Sequence, residues 1–171
     1  MSRFINTIPT AAYPLSLGLL VTSSLLFGNV GLSLCGPLPI IKDEIGSSQL
    51  TTRSRVRVWK LFFDRYYVIR GTAITIGLHL SAVGLTALPL VRSLSLTSAA
   101  CSASAIVYTG FMIQPTNKSL GALNQKEELS ETEDKEALRL IGNWDWLHKW
   151  RMVIYAGAWT SGVTALIATF A

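Results

Sequence analysis

Charge is missing from most of this chain. Residues 4–41, 71–91, 93–117 and 152–171 contain no Lys, Arg, Asp or Glu, and 23 of the 25 charged residues fall in two blocks, 42–70 and 118–151. A soluble amphipathic helix places charges on its wet face every few residues, so four uncharged runs of this length exclude an ordinary water-soluble domain. They do so although the averages, 50% hydrophobic and 15% charged, would pass for one. Cysteine is scarce too: Cys35 and Cys101 form neither a CxxC pair nor a Cys/His ligand spacing, so they read as apolar thiols, with no disulfide framework and no metal site. No P-loop, GxGxxG, HExxH or GxSxG motif is present. No RRM, zinc-finger or helix-turn-helix pattern accompanies the net charge of +5, which therefore does not argue for nucleic acid.

What the chain does have is four runs long enough to cross a bilayer core, which takes about 20 apolar residues. The expectation is an all-α protein, a four-helix transmembrane bundle forming a single integral membrane domain over 1–171, with spans at about 13–34, 68–87, 94–114 and 152–170. The first run is too long for a cleaved signal peptide, whose apolar core is about 7–15 residues. Thirteen of the 15 basic residues lie in the charged blocks 42–70 and 118–151, which separate span one from span two and span three from span four. The positive-inside rule then makes 35–67 and 115–151 cytosolic and both termini lumenal or exterior, in a multi-pass, endomembrane protein. In the first cytosolic segment, RSRVRVWKLFFDRYYVIRG mixes cations with Trp59, Phe62, Phe63, Tyr66 and Tyr67, which suits a helix at headgroup level; Trp59 and Tyr66 are also candidates for a binding pocket. In the second, 124–136 reads as a flexible charged loop or fraying helix start, and from Ala137 an apolar period runs into span four.

Within the uncharged runs the polar residues need partners. On span two, Thr72, Thr75, His79 and Thr86 share one helical face, so His79 is either a neutral histidine bonded between helices or a catalytic or ligand-orienting group. Span one carries Gly18, Thr22, Asn29, Ser33 and Gly36 on one stripe, a packing face on which Asn29 can also line a pocket. Tyr108 lies near the end of span three. Pro115 predicts that this helix stops, leaving Asn117 in a turn at the membrane boundary, as a helix cap or a site residue. Before and into span four, Trp144, His148, Arg151, Tyr155 and Trp159 share a face, while Trp146 and Trp150 form a separate interfacial stripe. At 1.5 Å per residue His79 lies roughly 12 Å below the boundary that His148 precedes, so the two histidines are not expected to share a metal.

Taken together, the four-span layout, Asn29 and Gly36-Pro37 in span one, Trp59…Tyr66…Gly71 before span two, Pro115-Thr116-Asn117-x-x-Leu120 after span three and Trp144-x-x-x-His148-x-x-Arg151 before span four resemble the DUF1772 membrane proteins, and among them the fungal anthrone oxygenases. The resemblance covers nearly the whole chain. It implies a monooxygenase of secondary-metabolite biosynthesis, oxidising a polyketide anthrone such as emodin anthrone to the anthraquinone with O2 and without an added cofactor. A hydrophobic aromatic substrate, O2 and the lipid bilayer would be its partners. The resemblance puts His148 or His79 in the role of base and Arg151 and Asn117 beside the developing oxyanion. Asn29, Trp59, Tyr66, Tyr108, Trp144 and Tyr155 would contact the substrate. A non-catalytic membrane protein that scaffolds an assembly or carries a hydrophobic metabolite, and an enzyme holding heme or quinone, are the other readings.

Overall fold

A computed structural model describes residues 8–47, 49–63 and 67–171. Every regular element among them is helical. Helix α1, Ala12–Leu34, ends at Gly36, where a Cβ would lie 2.8 Å from the Leu32 Cα and 2.9 Å from its carbonyl oxygen. Only glycine allows the chain to fold back that tightly. Pro37 then opens the short helix α2, Pro37–Ile41, at a first-turn position where its missing N–H costs nothing. Helix α3, Thr52–Phe63, is capped by Thr51, whose Oγ1 accepts from the Ser54 N–H at 3.2 Å. Helix α4, Tyr67–Leu85, and helix α5, Pro89–Tyr108, follow. Thr86 lies past the end of α4, not on its buried face, and its Oγ1 accepts from the Leu88 N–H.

The expected stop at Pro115 does not occur. A π-helical turn, Thr109–Ile113, connects α5 directly to helix α6, Gln114–Asn124. A proline inside an α-helix loses one hydrogen bond and clashes with the carbonyl four residues back. The wider turn, closed by the Gln114 N–H donating to the Thr109 carbonyl, accommodates this and sets Pro115 in the first turn of α6. Asn117 consequently sits on a helix face and not in a turn. The last helix, α7, runs over 38 residues, Glu131–Ala168, and begins six residues before the apolar period returns. Its start is a capping box: Ser130 and Glu133 exchange backbone N–H to side-chain bonds at 2.9 and 3.4 Å, and Glu131, Glu133 and Asp134 place negative charge in the first turn.

Three helical stretches, Ala12–Ile41, Thr52–Leu85 and Pro89–Asn124, are long and apolar enough to cross a membrane. The fourth expected span is the C-terminal part of α7, which carries Thr160, Ser161, Gly162 and Thr164 in place of large aliphatic residues and is not among these three.

The chain divides into two compact units. The first comprises Met1–Leu26, Val68–Ile106 and Val153–Ala171. Its apolar core is Leu15, Ala82, Val91 and Ala165, and between its helices it buries Thr22, Thr72, Thr75, His79, Ser95, Ser98 and Ser102. The second comprises Phe27–Tyr67 and Val107–Met152. Its core is larger and more aromatic: Leu38, Ile41, Val56, Trp59, Ile113, Leu120, Ile141, Trp144 and Leu147 all contribute.

Candidate functional site

The second unit gathers most of the candidate residues. Asn29, near the end of α1, and His148 and Arg151, one turn apart on α7, are all buried. One guanidinium nitrogen, Nη2 of Arg151, donates to His148 Nδ1 at 2.8 Å and to Asn29 Oδ1 at 3.2 Å. His148 Nε2 lies 3.4 Å from the Asn29 carbonyl oxygen. A buried cation is costly unless hydrogen-bonded, and these side chains provide part of the compensation. Burial foremost, then the adjacent Arg151 cation, pushes His148 down to about 4, so the ring is neutral at physiological pH.

Aromatic rings extend the cluster. Trp144 stacks on His148 with centroids 4.7 Å apart and planes within 12°. Its indole N–H donates to Asn117 Oδ1 at 2.9 Å, which ties α6 to α7. Trp59 meets Trp144 edge-on at 6.2 Å and stacks on Phe63 at 5.0 Å. The Trp59 indole N–H is buried without a hydrogen-bond partner among the described residues. Tyr108 donates its hydroxyl to the Leu147 carbonyl at 3.1 Å. On another face of α7, buried Asp145 receives Lys42 at 2.7 Å and Lys149 at 3.0 Å. Burial pushes the Asp145 carboxyl up, but the bonds from Lys42 and Lys149 outweigh it and hold the group below the usual carboxylate range.

Two candidates lie in the first unit. Tyr155, expected to share a site with His148 and Arg151, instead donates to Thr72 Oγ1 at 2.6 Å, since the single Thr72 hydroxyl proton goes to the Val68 carbonyl. His79 is fully buried, and its Nδ1–H donates to the Thr75 carbonyl at 2.8 Å. Its Nε2 has no partner among the described residues. Glycines flank the ring: a Cβ at Gly18 would lie 2.8 Å from Cε1, and one at Gly162 would lie 2.9 Å from Nε2. Trp159 donates to Ser23 Oγ at 2.9 Å in the same unit. Tyr66 lies outside the described residues. Trp146 and Trp150 are half-exposed and pack edge to face, as an interfacial pair would.

One feature has no counterpart among the residues singled out as substrate contacts. An open, apolar groove of about 550 Å³ in the second unit is lined by Gly28, Gly31, Gly36, Pro37, Ile40 and Phe62, among others. A Cβ at Gly28 or Gly31 would meet nothing within 4 Å, so these glycines clear space and do not serve close helix packing. The available sequence signal was Gly28 and Gly31, which lie off the Gly18–Gly36 stripe and carry no polar side chain that demands a partner.

The family model described as anthrone oxygenase matches residues 59–161, a range that holds Trp59, His79, Tyr108, Asn117, Trp144, His148, Arg151 and Tyr155. No curated protein and no solved structure matches the chain. A match over more than half of the sequence, covering both histidines and the buried arginine, places the chain in the anthrone oxygenase family, the DUF1772 family.

Proposed function

We propose that the protein is an anthrone oxygenase in the enzymatic sense: a four-span membrane protein that oxidises a polyketide anthrone, such as emodin anthrone, to the anthraquinone with O2 and no added cofactor. The observation that carries this reading is the buried Arg151, held by Asn29 and His148 among stacked aromatic rings inside the family-matched region. An anthrone is a flat, apolar tricycle, and both it and dioxygen partition into an apolar environment. The reaction removes a proton from the doubly benzylic carbon, leaving an anion whose charge resides largely on the carbonyl oxygen. A fixed cation in a poorly hydrated site stabilises such an oxyanion strongly. The anion passes an electron to O2, the pair combines to a peroxide at the same carbon, and loss of water gives the quinone. One anthrone and one O2 become one quinone and one water.

In this reading Arg151 and Asn117 face the developing oxyanion, one of the two histidines takes the proton, and Asn29, Trp59, Tyr108 and Trp144 of the second unit contact the substrate. Segments 35–67 and 115–151 are cytosolic, with both termini on the opposite side, and the protein sits in an endomembrane. The test is oxygen uptake by detergent-purified protein given an anthrone, against the spontaneous oxidation in matched detergent. Uptake above that control supports the enzyme. Uptake equal to it leaves the carrier or scaffold reading, to which the open apolar groove would then belong.

A further inference from the structure

The two histidines differ in what their ring nitrogens are doing. Arginine has five N–H donors and no acceptor, so the nitrogen that receives its bond must present a lone pair. Arg151 Nη2 lies 2.8 Å from His148 Nδ1, which makes Nδ1 the acceptor. The other nitrogen, Nε2, then carries the hydrogen and points at the Asn29 backbone carbonyl, a group that only accepts. Both nitrogens are engaged, and the stack with Trp144, itself anchored to Asn117, holds the ring plane. A proton added to Nδ1 would set two donors against each other at 2.8 Å. His79 presents the opposite pattern: Nδ1–H is given to Thr75, and the Nε2 lone pair is unengaged among the described residues.

We infer that His148 is a positioning residue and not the base: its Nδ1 lone pair aims the Arg151 guanidinium, and with Asn29 it fixes where the cation meets the substrate oxyanion. The charges acting on His148 are Arg151, Lys149 and Asp145, all on its own helix; α1 presents Asn29, which does not titrate. This rests on the proposed oxygenase reading for its kinetic consequence, but the tautomer does not.

Two measurements test it. In 15N-histidine-labelled protein, with H79Q used to assign the two rings, His148 is expected at neutral pH with a bare Nδ1 and a protonated Nε2. The reverse tautomer, or an imidazolium, would overturn the inference whether or not the protein oxidises anthrones. In oxygen uptake, a glutamine can still offer Arg151 an acceptor where an alanine cannot. H148Q is therefore expected to retain about tenfold or more of the activity left in H148A, the scale set by one hydrogen bond to a charged group. Equal loss in both variants, in protein folded like the wild type, would make His148 the base. Wild-type protein no faster than the detergent control defeats the oxygenase reading alone and leaves the 15N result to decide the positioning role.

Discussion

At the scale of single residues, the histidines and the glycines around them carry the sharpest consequences. An unfolded histidine takes up its proton near pH 6.5, whereas folded His148 refuses it until about 4. The unfolded state therefore binds more protons within that window, and the folded state loses stability as pH falls through it, by at most about 3 kcal/mol. Above pH 6.5 the contribution is fully present. Thermal unfolding in detergent is expected to show this slope in the wild type and to lose it in H148Q; an unchanged slope would mean that His148 titrates normally. His79 makes a steric prediction. Its ring lies where a Cβ at Gly162 would come within 2.9 Å of Nε2, and Gly18 closes the other side. Gly162→Ala is expected to destabilise by about 1–3 kcal/mol, the cost of overpacking a close-packed site. Because the clash is with one side chain, H79A should absorb most of that loss, so unfolding of the double variant measures a coupling well short of additivity. Thr72, Thr75 and His79 were legible as one inward face from their spacing alone, since every residue of that face meets a neighbouring helix. The tautomers were not, because they depend on which acceptor or donor another helix brings.

At the scale of elements, the uncharged runs mark the helices well, and the errors fall where local chemistry competes with the pattern. Pro115 reads as a stop because a proline cannot continue an α-helical ladder. The Thr109–Ile113 π turn, invisible to periodicity, absorbs it and lets the helix proceed, which brings Asn117 to Trp144. P115A restores the missing N–H and removes the reason for the wide turn. Relaxation to α geometry would rotate α6 by about 100° per residue gained, so Asn117 should leave Trp144. The expected readout is a shift in Trp fluorescence, with activity falling to the level of N117A; unchanged values in P115A would show that the π turn has another cause. The start of α7 was legible in part: the charged run 124–136 reads as a solvated loop or a fraying helix start, and Ser-x-x-Glu at 130–133, a capping-box signature, is what makes it a helix from Glu131. S130A is expected to lower stability by about 1 kcal/mol in detergent unfolding, without changing the activity of the folded fraction.

At the scale of the whole molecule, the proposed topology rests on the arrangement of charge and the proposed chemistry on the buried polar residues. Thirteen of 15 basic residues lie in the blocks 42–70 and 118–151 beside the segments proposed to face the cytosol, and Arg92, in the first turn of α5, is proposed to lie on the other side. A cysteine at position 92, in a background lacking Cys35 and Cys101, is expected to react with an impermeant thiol reagent only from the lumenal or exterior side; labelling from the cytosol would invert the topology. Family membership was legible in the Pro115-Thr116-Asn117-x-x-Leu120 and Trp144-x-x-x-His148-x-x-Arg151 motifs, both within the matched range 59–161. The division of the candidates was not: Tyr155 continues that spacing, yet it belongs with Thr72 in the first unit, while Asn29, Asn117, His148 and Arg151 belong to the second. A stripe on a 38-residue helix says which residues share a face, not which of them share a neighbour. The central claim is that the buried Arg151, oriented by Asn29 and His148, stabilises the anthrone oxyanion. The most direct measurement is oxygen uptake with an anthrone by wild-type and R151Q protein of matched folded content. The account predicts wild-type turnover above the spontaneous rate and a loss of about 10²–10³-fold in R151Q, the scale for removing one oxyanion donor; equal rates in the two proteins would contradict it.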